Sequence, residues 1–524
     1  MAKYLGLDFS TQQIKAVVTD SDLNVQHTTQ VDFGKELPAF GTECGVHKHA
    51  DGVTVTSPVL MWVQALDLLM EKLKSTPDLD LASIRAISGA GQQHGSVYWK
   101  TGAGDTLTTL SPERSLFDQL QHSFAVSDSP VWMDSSTLTQ CKQLEAAVGG
   151  AQKLCELTGS RAFHRFTGAQ IAKIFQTQSD AYSKTERISL VSSCACSLFL
   201  GHYAPIDWAD GSGMNLLDLT SKTWNQRLLD ACAPNLAAKL GDASPADTNL
   251  GPISRYFVDR YGFSPECQVV TFTGDNPASL AGLNLQSGDL AISLGTGDTV
   301  FVCLSRATPR LDMHIFCNPV LRDEYMGLLC FKNGALTRDR IREQCSCADW
   351  AAFNALLDTT PPANDGAIGF YFDLPEILPD LPAMVRRFGS DDKMADSFQP
   401  AVEARAVIEH QCLAKRVHAE ACGYRTAQGR VLVTGGASAN KSMLQIVADV
   451  FNSPVHVQNV PNSAALGCAY RAKHGLNPQT NFSQLCAPVT QFTLAARPRQ
   501  EHAKAYDQLA ARYAKLEGSL GKVV

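Results

Sequence analysis

Two short strand–turn–strand units, one opening the chain and one in its second half, limit what this sequence can fold into. The first runs along Tyr4-Leu5-Gly6-Leu7-Asp8, passes a polar turn at 9–13 and resumes as a strand over 14–19. The second is a strand over 290–294, a turn at Gly295-Thr296-Gly297-Asp298 and a strand over 299–304. Apolar runs flanking a tight polar turn are the signature of a β-hairpin. Similar hairpins so far apart point to two related domains, and 524 residues are too many for one ordinary core. The boundary is expected near Gln286-Ser287-Gly288, giving domains 1–286 and 287–524.

Tight turns hold phosphate well, because backbone N–H groups donate with no side chain in the way. Ser10, Thr11 and Gln12 offer such donors in the first turn, and Gly295, Thr296 and Gly297 in the second. Each turn alone is equally ordinary turn chemistry. Matched turns in two halves favour a phosphate ligand. Asp8, at a strand end, suits Mg2+, which prefers hard oxygen ligands and keeps several waters. No G-x-x-x-x-G-K-[ST] occurs, so the site is not a P-loop. The lysine–aspartate set of protein kinases is absent too.

Other strand ends carry chemistry. A buried strand over 84–88 opens into Gly89-Ala90-Gly91-Gln92-Gln93-His94-Gly95. A neutral imidazole beside amides suits polyol hydroxyls; the alternative for His94 is a loop histidine with no task. A strand over 269–273 runs into Gly274-Asp275-Asn276-Pro277, with a helix from Ala278. Asp275 there can act as a general base toward a hydroxyl attacking phosphorus, or merely cap the helix. A strand over 431–434 ends in Gly435-Gly436-Ala437-Ser438, and with Asn440 this turn could let adenosine lie flat on the backbone. Elsewhere, helical spacing predicts a helix over 58–74 and a mainly helical stretch over 138–199. Residues 358–400 read as irregular, a helix from Pro400 ends near Gly423, and a surface helix follows Pro498.

Composition narrows the class. The net charge is −7 and no basic stripe is visible, which argues against a nucleic-acid partner. Sixteen cysteines are scattered with no C-x-x-C pair, as expected of plain thiols in a reducing compartment. His47 and His49 lack companion metal ligands. The start Met1-Ala2-Lys3 carries no signal-peptide pattern, and the longest apolar stretch, at 190–200, is far shorter than the ~20 residues of a membrane span. A cytoplasmic protein with no membrane partner is expected.

These pieces, in this order, resemble the FGGY carbohydrate kinase family over about residues 4–475. The family's first phosphate motif is similar to Leu5-Gly6-Leu7-Asp8-Phe9-Ser10-Thr11-Gln12-Gln13-Ile14-Lys15, and its catalytic segment to Thr273-Gly274-Asp275-Asn276-Pro277-Ala278. Its second phosphate motif is similar to Ser293-Leu294-Gly295-Thr296-Gly297-Asp298, and its adenosine motif to Thr434-Gly435-Gly436-Ala437-Ser438-Ala439-Asn440. The resemblance implies an α/β fold of two actin-like ATPase (ribonuclease H-like) domains with a cleft between them, the sugar and base on the first and ATP on the second. Within the family, residues 88–95, 129–137 and 157–168 are similar to the xylulose-phosphorylating members, especially the longer eukaryotic-like type. Glycerol-phosphorylating members instead carry an Arg-Glu pair where Gln93-His94 stands.

What the resemblance implies is ATP-dependent phosphorylation of D-xylulose to D-xylulose 5-phosphate by a monomer or homodimer. It implies that His94, Arg165, Asp275 and Asn276 hold the sugar, that Asp8 anchors Mg2+, and that Trp350 faces adenine, with core packing as the other reading of Trp350. One departure stands out: many bacterial members have an arginine soon after Trp-x-Asp, whereas Ser135 and Ser136 follow Asp134 here. That departure counts against a substrate role for Trp132 or Asp134. The rival readings are a kinase of another ketose or polyol such as ribulose, an actin-like nucleotide switch, and a sugar-binding regulator without catalysis. Asp275 together with His94 and Arg165 favours the enzyme over the switch.

Overall fold

The computed structural model describes residues 2–458 and 461–521. The chain divides into two compact units, neither of them one contiguous segment. Met1–Asn284 packs with Phe316–Asp323 and Pro461–Thr490, and Leu285–Ile315 packs with Glu324–Val460 and Gln491–Val524.

The first unit is built on a mixed sheet. Strands β1 (Lys3–Phe9), β2 (Gln13–Thr19), β3 (Val25–Asp32), β4 (Ile84–Gly91), β5 (Asn249–Pro252) and β6 (Gln268–Val270) lie in the order β5-β6-β4-β1-β2-β3, and β7 (Thr273–Gly274) also pairs with β4. β1 and β2 form the expected hairpin, antiparallel, with Asp8 opposite Lys15 and Phe9 opposite Ile14. β4 runs parallel to β1, and β6 parallel to β4. β1 is buried from Tyr4 to Phe9, as a central strand covered on both faces must be.

The second unit repeats the plan. Its strands β8 (Leu290–Leu294), β9 (Asp298–Leu304), β10 (Tyr325–Phe331), β11 (Val431–Gly435), β12 (Val455–Val457) and β13 (Thr493–Ala496) lie in the order β10-β9-β8-β11-β12-β13. β8 and β9 form the second hairpin, with Leu294 opposite Asp298. From β10 to β12 the pairings run antiparallel, antiparallel, parallel, parallel. The same succession runs from β3 to β6.

The helices of the two units include α1 (Val59–Lys74), α2 (Thr167–Thr177), α3 (Asp275–Gly282), α4 (Ala335–Gln344), α5 (Trp350–Thr359), α6 (Pro400–Ala421), α7 (Lys441–Phe451), α8 (Ser463–Gly475) and α9 (Ala503–Leu520). α1 buries Trp62, Leu66, Leu69, Met70 and Leu73 on the stripe that its spacing predicts. α3 begins at Asp275 itself, with Gly274 as its cap residue, so Asp275 does not cap a helix starting at Ala278. α3 and α8 meet through glycine. A Cβ on Gly282 would lie 2.0 Å from the Ser463 carbonyl oxygen, and one on Gly467 2.0 Å from that of Ala278. A Cβ on Gly6 of β1 would lie 1.9 Å from the Ala465 carbonyl oxygen. Only glycine permits these approaches, and they seat α8 against both β1 and α3.

Three regions differ from expectation. The stretch 138–199 is interrupted by a strand over Thr185–Leu190, which pairs with Ser96–Lys100. The stretch 358–400 contains an antiparallel pair, Ile368–Phe372 with Met384–Phe388. The tail helix α9 buries Tyr506, Leu509 and Tyr513 and is therefore part of the second core rather than a purely surface helix. Among the described residues no helix is long and apolar enough to cross a membrane.

Candidate active site

In the first unit the β1–β2 hairpin and the start of α3 open onto one pocket of about 220 Å³, lined by Asp8, Ser10, Lys15, Asp275, Asn276, Ser279, Asn462, Ser463 and Ala464. Asp8 is buried at the end of β1. Its Oδ2 accepts the Ser10 hydroxyl at 2.6 Å, while its Oδ1 has no hydrogen-bond partner. Burial pushes its carboxyl above the usual range, against the opposing pull of Ser10 and Lys15. Asp275 is partly open to the pocket. Its Oδ1 accepts from the Asn276 backbone N–H at 2.8 Å and from Asn276 Nδ2 at 3.1 Å. Burial, then the negative charge of Asp8, pushes the Asp275 carboxyl up to about 7. Thr11 and Gln12 complete the turn beside the pocket without lining it. Lys15 and the 462–464 segment are wall residues that the sequence reading did not select. A lone lysine within the apolar run 14–18 was a signal for Lys15, but nothing local marked 462–464.

His94 stands just past β4 in the left-handed region, with φ of 74°. Such a backbone is uncommon outside glycine and points to a constrained position. Several contacts hold it. The ring stacks on Phe166 at 4.5 Å between centroids, Nδ1 bonds the Gly213 carbonyl at 2.9 Å, and the His94 carbonyl accepts the Thr167 hydroxyl at 2.9 Å. Burial, reinforced by the positive charge of Arg165, pulls the imidazole down to about 3, so it is neutral at any working pH. Because a carbonyl can only accept, Nδ1 carries the proton and Nε2 presents a lone pair. Arg165 lies with its guanidinium carbon 4.7 Å from the Phe163 ring centre. Asn276 Nδ2 also donates to Gln93 Oε1 at 3.0 Å, which ties the β4 end to the start of α3.

The Trp-x-Asp segment is structural. Asp134 is buried and accepts from the backbone N–H groups of Val55 and Ser136, the Ser136 hydroxyl and the Gln170 amide. Its carboxylate is fully used in bracing the loop. Trp132 is exposed, and its indole N–H donates to the Thr11 hydroxyl at 2.9 Å, so it supports the first turn. His47 and His49 bond the Phe40 carbonyl and the Thr56 hydroxyl. Among the described residues no group of three or more metal-ligating side chains occurs.

The second unit has its own pocket of about 570 Å³, where the β8–β9 turn, the β11 end and helices α4, α5 and α7 converge. Gly295, Thr296, Trp350, Gly436, Ala437 and Asn440 line it, joined by Arg338, Asp339, Asn354 and Met443. Trp350 is partly exposed to this space and is not a core residue. Asn440 caps α7 by accepting from Met443 N–H at 3.1 Å and donates to Asn354 Oδ1 at 2.9 Å. Gly297 and Gly435 shape the walls without lining them. A Cβ on Gly435, whose φ is 87°, would lie 2.4 Å from the Leu294 carbonyl oxygen. Below the turn, the buried Asp298 carboxylate accepts from Gly295 N–H at 3.1 Å, pairs with Arg338 at 3.0 Å and with Lys415 at 2.8 Å. That brace was not foreseen. The Asn333-Gly334 turn ahead of α4 was the available signal for Arg338.

Residues 116–282 match the N-terminal domain, and residues 290–476 the C-terminal domain, of the FGGY family of carbohydrate kinases. The chain belongs to this family. An FGGY kinase uses ATP to phosphorylate a carbohydrate, and this chain carries two units on one sheet plan, each with a turn pocket, as that activity requires. A xylulose kinase of Rattus norvegicus is 55% identical over 98% of this chain and 96% of its own length. Xylulose kinase 2 of Arabidopsis thaliana is 47% identical over 90% of this chain and 87% of its own. In fold, the chain is similar to the crystal structure of a xylulose kinase from Rhodospirillum rubrum, with a TM-score of 0.82 at 17% identity and 99% of each chain covered. The FGGY assignment carries with it the actin-like ATPase fold, and the repeated sheet plan fits it.

Proposed function

We propose that this chain transfers the γ-phosphoryl group of ATP to O5 of D-xylulose, giving D-xylulose 5-phosphate, with Asp275 as general base. The observation that carries the chemistry is the Asp275 carboxyl, open to a pocket it shares with Asp8 and pushed up to about 7. A base of that strength takes a hydroxyl proton as the oxygen attacks phosphorus, and it does so near neutral pH. The choice of D-xylulose rests on the near full-length similarity to the rat and Arabidopsis xylulose kinases.

His94 accepts a sugar hydroxyl at Nε2, Arg165 donates to another, and Asn276, whose two N–H donors are held by Gln93 and Asp275, accepts one at Oδ1. Thr11 and Gln12 offer backbone donors to the transferring phosphate, with Ser10 fixing their turn through its N–H to the Gln13 carbonyl, and Thr296 and Gly297 offer them to the phosphates of the bound nucleotide beside Gly295, whose N–H is held by Asp298. Trp350 lies against adenine, with Gly435, Gly436, Ala437 and Asn440 beneath the adenosine. The residues fit Mg2+: Asp8 offers a hard carboxylate oxygen with no other partner, and magnesium is commonly held by one or two carboxylates plus substrate phosphates. Bound there, the ion supplies neutralisation of phosphate charge. Sixteen free thiols fit a cytoplasmic location.

ADP release, measured over a panel of D-xylulose, ribulose, other ketoses and glycerol, tests the proposal. D-xylulose should be preferred, and Asp275→Asn should lose about 10²–10⁴-fold in turnover. A folded Asp275→Asn variant with near-normal turnover would remove Asp275 as the base. Preference for a different acceptor would overturn the substrate.

A further inference from the structure

A second acid pair lies under the α3 start. Asp207 and Asp210 sit at either end of one helical turn, and both are almost fully buried. Their surroundings differ. Asp207 accepts the backbone N–H groups of Ala209 and Asp210, each at 3.0 Å, and the Thr273 hydroxyl at 3.0 Å. It also has the buried Arg471 guanidinium beside it. Asp210 has much less. Its Oδ2 meets the Ser192 hydroxyl at 2.5 Å and its Oδ1 has no hydrogen-bond partner. No cation faces it. The charged groups around it are acids, Asp207 on its own turn and Asp275 on α3.

Asp210 also touches the base through a short chain. A Cβ on Gly274 would lie 2.8 Å from Asp210 Oδ1 and 2.5 Å from Gln93 Cγ, so both side chains press on the residue before Asp275. The Gln93 amide faces Asp210, and its Nε2 is otherwise unpartnered. The Gln93 Oε1 accepts from Asn276 Nδ2, which in turn donates to Asp275 Oδ1.

We propose that Asp210 is a permanently neutral carboxylic acid and a positioning residue, bracing the Gln93–Asn276–Asp275 chain without adding charge beside the base. Its Oδ2–H donates to Ser192 Oγ, and its Oδ1 presses on Gly274 beside the Gln93 amide, whose Nε2 is likewise without a hydrogen-bond partner. A third ionised carboxylate here would repel both Asp207 and Asp275 in a buried setting with no cation of its own. Burial and the charge of Asp207 accordingly push the Asp210 carboxyl well up. The positioning role rests on Asp275 as base; the protonation state does not.

Two measurements on the full chain separate these. Infrared difference spectra of wild type and Asp210→Asn at pH 7.5, without substrate, should show a carboxylic-acid C=O band that the substitution removes. Its absence would overturn the neutral acid, whatever the enzyme phosphorylates. Turnover against pH should show Asp210→Ala losing about 10²-fold in kcat, the scale of a small misplacement of a reacting group. Asp210→Asn, an isostere of the neutral acid, should restore that activity with the acid limb of kcat/KM unmoved. An acid limb displaced downward in Asp210→Asn would show an ionised Asp210, and full activity in Asp210→Ala would remove the positioning role. If Asp210→Ala does not fold, the infrared comparison with Asp210→Asn decides the protonation state, and Asp210→Ser, too short to brace the Gln93 amide, decides the positioning: it should show the same loss of kcat, and full activity in it would remove the role.

Discussion

Asp298 is the residue at which the second pocket is most exposed to a single change. Its side chain is completely buried, and those of Arg338 and Lys415 are 3% exposed. Asp298→Asn leaves the shape and the acceptor for Gly295 N–H but removes the one carboxylate that, among the described residues, pairs with both cations. Breaking a buried ion pair from one side costs about 3–5 kcal/mol, because the remaining charge is stranded. In a cooperative unit of about 200 residues each kcal/mol lowers the midpoint by about 2–4 °C, so the second unit should melt roughly 6–20 °C earlier. Calorimetry with and without ATP is the assay, since the Gly295 turn lines the pocket and ATP should recover less of the loss than in the parent. Adding Lys415→Met should return part of the stability by removing one stranded charge. The pH dependence has a definite sign. Burial alone would raise the Asp298 carboxyl, but Lys415 and Arg338 outweigh it and hold it below the usual range. Its contribution is therefore full above the ordinary carboxylate range and fades as pH falls through the lowered folded value, so the gap between parent and variant should close on acidification. A midpoint within 2 °C of the parent, or no recovery in the double variant, would refute the stranded-charge reasoning.

Other expectations are simpler. A general base at Asp275 has to be ionised to act, and its carboxyl is pushed up to about 7; on the proposed mechanism kcat/KM should therefore fall about tenfold per unit below that pH, read from a pH–rate profile. Gly274→Ala places a Cβ 2.5 Å from Gln93 Cγ and 2.8 Å from Asp210 Oδ1; overpacking of this kind costs about 1–3 kcal/mol, and turnover should drop while nucleotide binding is kept. Trp350→Ala removes the aromatic wall of the larger pocket; loss of base stacking worth about 1–3 kcal/mol should raise the KM for ATP at least several-fold and leave the KM for the sugar unchanged. Gly467→Ala should destabilise the first unit in a thermal melt, since the new methyl would meet the Ala278 carbonyl oxygen at 2.0 Å.

The residues legible in the sequence share one property: local chemistry marks them. The hairpins are visible because apolar runs stop at polar turns, and the structure closes them at Phe9–Ile14 and Leu294–Asp298, where those runs stop. Asp275 is visible because it follows a buried strand. Their supports are invisible for the opposite reason. Arg471 lies mid-helix in α8, yet it is almost fully buried and donates to Ser88 and to the carbonyls of Ala246 and Thr271, partners hundreds of residues away. Nothing near it in sequence distinguishes it from a solvated arginine. Gly282 and Gly467 look like weak points in helices, and only their mutual approach shows that they let α8, from the far end of the chain, seat the helix bearing Asp275. Asp207 and Asp210 read as ordinary turn acids until the fold sets Arg471 beside Asp207 and leaves Asp210 Oδ1 without a partner. A functional group has to reach the end of a strand, where local pattern records it. The groups that fix its charge and position come from wherever the fold brings them, and their identity becomes readable only once the packing is known.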